Sequence, residues 1–236
     1  IKNGRIANGV GLDTPATLSN ILKWLYQDGY YLGPNFSKPT GRELIENLLS
    51  SRTNDPESRF KEPLDFVPLE LYLEWWAKLD QKIKNNIINK WNIPQKAIDL
   101  EDRGFPVLGM RYGNLTILIQ PSRAFEYLTS SEIHSPELPP PHSYLAQYFW
   151  INMLNQTHAI VNLGKHGTLE WLPGKGVGLS EGCHPTLCLD SIPTIYPFIV
   201  NDPGEGSQAK RRTHSIIIDH LTLPLDRSCL YGDLQK

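Results

Sequence analysis

Nineteen prolines and eighteen glycines are spread through 236 residues. Proline fixes φ and removes a backbone donor, whereas glycine loosens the chain. A chain broken this often folds as many short elements rather than long helices or one broad regular sheet. The apolar spacing between breaks places them. Thr14 with Pro15 reads as a helix start, threonine as cap and proline in the first helical position. Leu18, Ile21, Leu22 and Leu25 recur at helical spacing, and Gly29 closes the helix. Thr40 with Glu43 forms a capping box before Leu44, Ile45, Leu48 and Leu49. Pro68 opens a helix through Trp75, Trp76 and Leu79, and Asp80 caps another carrying Ile83, Ile87 and Trp91. These stripes read as core.

The pattern changes at residues 106–119, PVLGMRYGNLTILI, where Gly113-Asn114 between two apolar stretches predicts a hairpin or tight strand turn. Residues 129–142, TSSEIHSPELPPPH, read as an exposed connection or a boundary. Ser143 then caps a helix carrying Leu145, Phe149 and Leu154. The expected fold is α/β: a mostly parallel sheet with flanking helices plus a smaller helix-rich part. Its segments are 1–128, with a helix-rich insertion at about 40–100, the connection 129–142, and 143–236.

Composition excludes several classes. With 40% hydrophobic and 20% charged residues the chain reads as globular rather than disordered. A net charge of -2 gives no overall attraction to nucleic acid, so anion binding has to be local. No apolar run approaches the roughly 18 residues of a membrane span. Three cysteines, Cys183, Cys188 and Cys229, and no basic-then-apolar leader lead to the expectation of a reducing, cytoplasmic setting. Cys183, His184 and Cys188 could ligate metal, but their spacing matches no standard zinc pattern.

The chemistry gathers in residues 158–175, HAIVNLGKHGTLEWLPGK. A short apolar strand, Ala159 to Leu163, gives way at Gly164 to a polar loop with Lys165, His166, Thr168 and Glu170, then Trp171. An apolar strand ending in glycines, an imidazole and a carboxylate is where an open α/β sheet places its site. His166 and Glu170 read as metal ligands, as a proton-transfer pair, or as a hydrogen-bonded structural pair. His158, at the start of the strand, reads as structural. A hydrolase would need further metal ligands that the chain does not clearly offer. A second strand, Ile195 to Val200, has Pro197 inside it and reads as an edge or irregular strand. Its end, NDPGEG, carries Asp202 and Glu205 and leads to a helix expected over Ser207–Leu221. That span puts Lys210, Arg211 and Arg212 in its first turns, where cations are disfavoured unless an anion or the two carboxylates offset them. The trio is either an anion site or a solvated cluster paired with Glu205.

These motifs carry a resemblance. HAIVNLGKHGTLEWLPGK, LSEGCHP, IPTIYPFIVNDPGEGSQAKRR, the opening GRIANGVGLDTPAT and ELPPPH are similar to the large subunit of cobaltochelatase, CobN type. The likeness runs to about Pro224, and LEWLPGK and NDPGEGSQAKRR look closer to the cobalt branch than to the related magnesium chelatase large subunit. The chain is therefore expected to be an interior piece of a longer subunit, inactive alone.

The resemblance implies insertion of Co2+ into hydrogenobyrinic acid a,c-diamide on the route to cobalamin. ATP would be hydrolysed by two smaller AAA+-type subunits, and nothing here resembles a P-loop. The alternatives are Mg2+ insertion into protoporphyrin IX and a non-catalytic tetrapyrrole-binding or interaction module. On this reading His166 and Glu170 deliver metal or remove pyrrole protons. Asp202 and Glu205 join the metal path or position the basic trio. Lys165, Lys175, Lys210, Arg211 and Arg212, with Trp171, hold the macrocycle. One position departs: the family typically has histidine where this chain has Asn162. Asparagine is no base and a weak metal ligand, and His158, about 13 Å away along a strand, is no simple substitute.

Overall fold

The computed structural model describes residues 7–9, 12–125, 128–129, 132, 135–164, 167–197 and 203–218. Strands β1 (Asn8–Gly9) and β2 (Leu12–Asp13) pair antiparallel and lead into α1 (Thr14–Gln27). The cap is Asp13, not Thr14: its carboxylate accepts the Ala16 N–H at 3.0 Å. Thr14 and Pro15 thus form the first helical positions. α2 (Gly41–Ser50) starts with the expected Thr40–Glu43 box, both reciprocal bonds made. β3 (Asp65–Val67) precedes α3 (Leu69–Ala77) and α4 (Gln81–Trp91), and β4 (Phe105–Val107) returns antiparallel to it. Asp80 caps α4 through the Lys82 N–H.

β5 (Gly109–Tyr112) and β6 (Leu115–Leu118) form the hairpin expected from Gly113-Asn114. Gly113 has φ +51, and a Cβ there would lie 2.4 Å from the Tyr31 carbonyl oxygen, so glycine is required on both counts. This hairpin, α1 and α2 enclose a small core of Leu22, Leu32 and Leu44.

α5 (His142–Phe149) runs on into a π turn, Trp150–Leu154. Ser143 is not its cap. Pro141 precedes the helix, and the Ser143 N–H goes to the Asp99 carboxylate at 2.8 Å. Most of the helix is buried in the main core, with Tyr72, Trp76, Ile87, Trp91, Phe105, Leu169 and Leu189. Residues 138–141 are buried too, so the proline stretch is no exposed connection there. The Trp91 indole donates to the Pro139 carbonyl at 2.8 Å. His142 is fully buried between the Tyr72 hydroxyl and the Asn92 carbonyl, each at 3.0 Å. A carbonyl only accepts, so Nε2 carries the proton and Nδ1 receives the phenol.

β7 (Ile160–Val161), α6 (His184–Leu189), β8 (Thr194–Pro197), α7 (Pro203–Arg212) and β9 (Ile216–Ile218) complete the fold. The three strands form a parallel sheet in the order β7-β8-β9, so the expected α/β class is found, with its parallel sheet beside small antiparallel pairs. β8 is the central strand, which corrects the edge expectation. The Ile195 carbonyl accepts from Asn162 on the β7 side at 2.8 Å. By alternation, the N–H missing at Pro197 would face that same side, beyond the end of β7 at Val161, where no ladder partner is needed. No helix among the described residues is long and apolar enough to cross a membrane.

Candidate functional site

β7 is short and ends at Val161, where the loop bearing the motif begins. Lys165 and His166 lie outside the described residues, as does Asp202. The rest of the loop is held from two sides. Tyr196 of β8, fully buried, accepts the Gly167 N–H on its hydroxyl at 3.0 Å. From the opposite direction Gln120, just past β6, accepts the Thr168 N–H at 2.9 Å. The Gln120 amine donates to the hydroxyls of Tyr144 (3.3 Å) and Tyr148 (3.1 Å), both on α5. Tyr144 also meets the Thr168 hydroxyl at 3.0 Å.

Glu170 lies on a single 3-10 turn, Leu169–Trp171, and is only 1% exposed. Gly167 sits between three polar side chains. A Cβ there would be 3.1 Å from Asn162 Nδ2, 3.2 Å from Glu170 Oε2 and 3.5 Å from Gln120 Nε2. Asn162, by sequence the family-departing position, therefore faces the same small space as the buried carboxylate. It also hydrogen-bonds the Tyr196 side chain. Burial, with the Glu170 carboxylate adding to it, pushes the phenols of Tyr148 and Tyr196 well up, so both stay neutral and keep their O–H. The result is a buried carboxylate near neutral hydroxyl and amide groups at the end of a parallel sheet. Such a group can take a proton or a cation.

The basic residues part company. α7 begins at Pro203, inside the NDPGEG phrase, and not at Ser207; residues 216–218, expected to be helical, are strand β9. Lys210, Arg211 and Arg212 consequently fall in its last turn, where the helix dipole favours cations and no anion is needed to offset them. Lys210 and Arg211 are exposed. Arg212 is buried, and its guanidinium donates to the backbone carbonyls of Leu172, Gly174 (3.2 Å) and Lys175 (2.8 Å). It braces the Leu172–Lys175 loop and is not presented to a ligand. Lys175 itself is exposed and Trp171 half-buried. Glu205, half-buried in the first turn of α7, adds to the upward push on the Tyr196 phenol.

His158 is exposed ahead of β7 and away from the loop. Cys183, His184 and Cys188 are buried separately, and among the described residues no three of His, Cys, Asp and Glu converge on a metal position. Burial raises the Cys183 thiol, but N–H bonds from Ser180 and Lys175 outweigh it and lower the thiol overall. Burial alone raises Cys188. Sequence reasoning missed Gln120 and Tyr144, which bond the loop across 48 and 24 residues, and Tyr148, which Gln120 bonds across 28; none leaves a local signature.

The whole chain, residues 1–236, matches the CobN/Magnesium Chelatase family, and it belongs to that family. It is 47% identical over 236 residues to the aerobic cobaltochelatase subunit CobN of Pseudomonas aeruginosa, covering 99% of this chain and 19% of that protein. It is 28% identical over 233 residues to the magnesium-chelatase subunit ChlH of Oryza sativa subsp. indica, covering 99% of this chain and 16% of that protein. The solved catalytic subunit of cobaltochelatase from Mycobacterium tuberculosis superposes with a TM-score of 0.79 at 39% identity, over 96% of this chain and 20% of that one. The chain thus spans about a fifth of the length of such relatives.

Proposed function

We propose that these residues form part of the tetrapyrrole-binding subunit of an ATP-dependent metal chelatase in the cytoplasm, a ligase forming nitrogen–metal bonds. The substrate is Co2+ with hydrogenobyrinic acid a,c-diamide, and two AAA+-type partner subunits hydrolyse the ATP. The observation that carries this reading is the buried Glu170 carboxylate beside Gly167, at the end of the parallel sheet. A macrocycle loses two pyrrole protons as the metal enters, so a base must lie near its face. A buried carboxylate can accept such a proton, or hold a partly dehydrated cation briefly. His166, four residues earlier, is its proposed partner, with Asp202 and Glu205 on the metal path. Lys165, Lys175, Lys210 and Arg211 are proposed to attract the rim carboxylates, with Trp171 against the ring. Identity of 47% to a cobaltochelatase subunit against 28% to a magnesium-chelatase subunit supports cobalt over Mg2+ and protoporphyrin IX.

One position favours a second reading. Asn162 faces the site without being a base, which suits a module that binds the macrocycle without inserting metal. Spectroscopic titration with both macrocycles, followed by insertion assays, separates the readings. In the assays these 236 residues replace the matching segment of the Pseudomonas aeruginosa subunit, with its ATPase partners and Co2+ present. Corrin preference with cobalt insertion is expected. Preference for the flat porphyrin would move the protein to the magnesium branch, and tight binding without insertion would establish the module.

A further inference from the structure

Gln120 belongs to no element of the parallel sheet, yet it reaches the loop that carries Glu170. Its own backbone is fixed first. The Asn54 amide donates to the Gln120 carbonyl at 2.9 Å and accepts the Ser122 N–H at 3.1 Å. Thus anchored, its side chain makes directional bonds at both ends. Oε1 must accept, because the Thr168 N–H points at it from 2.9 Å. The amide nitrogen then faces two phenols, Tyr148 and Tyr144, and the Tyr144 hydroxyl in turn meets the Thr168 hydroxyl. Thr168 is therefore held at its amide and at its side chain by one network. The preceding amide, Gly167, is held from the other side by Tyr196. Two consecutive peptides between His166 and Glu170 are clamped between the hairpin, α5 and the parallel sheet.

We propose that Gln120 is a positioning residue of the metal-insertion site: it fixes the 167–168 backbone, which in the sequence lies between His166 and Glu170. This rests on reading those two residues as the metal-insertion pair. A branched apolar side chain of similar bulk, such as leucine, would fill much of the space but lose both directional ends. A carboxylate would keep the Thr168 bond, and the two phenols could turn to donate to its second oxygen.

The test uses Gln120→Leu and Gln120→Glu in the Pseudomonas chimera, together with amide hydrogen exchange on the 236-residue protein. In Gln120→Leu the Thr168 amide should exchange at least about tenfold faster, while the sheet amides of Ile160 and Asn162 keep their rates. Cobalt insertion should lose about 10- to 100-fold in kcat, with KM for the macrocycle within about twofold. Gln120→Glu should return the exchange rate and most of kcat. Unchanged exchange at Thr168 would overturn the proposal. So would a loss of activity that only tracks lost folded protein, or one that falls on KM alone. If the unmodified chimera inserts no cobalt, the function reading fails, and the Thr168 exchange rate still decides whether Gln120 clamps the loop.

Discussion

The Arg212 guanidinium donates to the backbone carbonyl of Lys175 across 2.8 Å, so two residues that sequence alone assigns to one ligand surface instead bind each other. The same side chain also holds the carbonyls of Leu172 and Gly174. Removing it leaves buried acceptors without a charged donor. Arg212→Met should lower unfolding free energy by about 2–4 kcal/mol, read as a lower urea midpoint at unchanged slope. Lys210→Ala and Arg211→Ala should leave that midpoint in place. They should instead weaken macrocycle binding severalfold, with a smaller dependence on salt than the unmodified protein shows.

Gly167 packs closely against the polar groups of the site. An added methyl would sit 3.1 Å from the Asn162 amide and 3.2 Å from Glu170 Oε2, closer than such contacts normally run. Gly167→Ala is expected to cost little stability, about 1 kcal/mol, because the neighbours are side-chain ends that can shift. Shifting them displaces Glu170, so insertion should fall by about tenfold or more. Equal activity in the alanine variant would show that the spacing around Glu170 is unimportant.

Burial lowers the His184 imidazole to about 4, the Pro173 carbonyl opposing the shift slightly and the nearby Arg123 charge adding to it. Its unfolded value is near 6.5. Between those values the unfolded chain binds the proton that the folded chain refuses. Stability contributed by the neutral ring is therefore present above about pH 6.5 and lost as pH falls toward about 4, a change of about 2–3 kcal/mol. Denaturation midpoints followed from pH 7 to pH 4 should show the decline, and His184→Gln should flatten it. An equally steep decline in the glutamine variant would place the proton elsewhere, His142 being the next buried imidazole, also lowered mainly by burial.

Asn162 hydrogen-bonds Tyr196 and lies beside the space next to Glu170. Asn162→His adds a ligand and base there. Cobalt insertion in the chimera should rise severalfold, with tighter Co2+ dependence. A fall would mean that the asparagine amide, through its bond to Tyr196, matters more than a second imidazole.

Local features of the chain were legible where the deciding contacts are local. The Thr40–Glu43 box, the Asp80 cap and the Gly113-Asn114 turn depend on residues a few positions apart, and each forms as expected. Helix α7 misled because NDPGEG has the composition of a loop, while Pro203 occupies a first-turn position that tolerates the missing N–H. Taking the helix as starting late put the basic trio at the wrong dipole end and hid the role of Arg212. Pro197 misled in the same way: proline argues against a central strand only where the partner strand continues. The glycine-rich loop with Glu170 was recognisable from its residues. The clamp made by Gln120, Tyr144 and Tyr196 was not, since those side chains meet the loop only after folding, across 24 to 48 residues.

The most direct measurement is cobalt insertion, followed by macrocycle absorbance, in the Pseudomonas chimera with and without Glu170→Gln. The substitution keeps shape and removes only the negative charge and the basic oxygen. A loss of about 100-fold or more in kcat, with macrocycle affinity within about twofold, is the expected result. Insertion at the unmodified rate in Glu170→Gln would contradict the assignment of this buried carboxylate to the metal-insertion step.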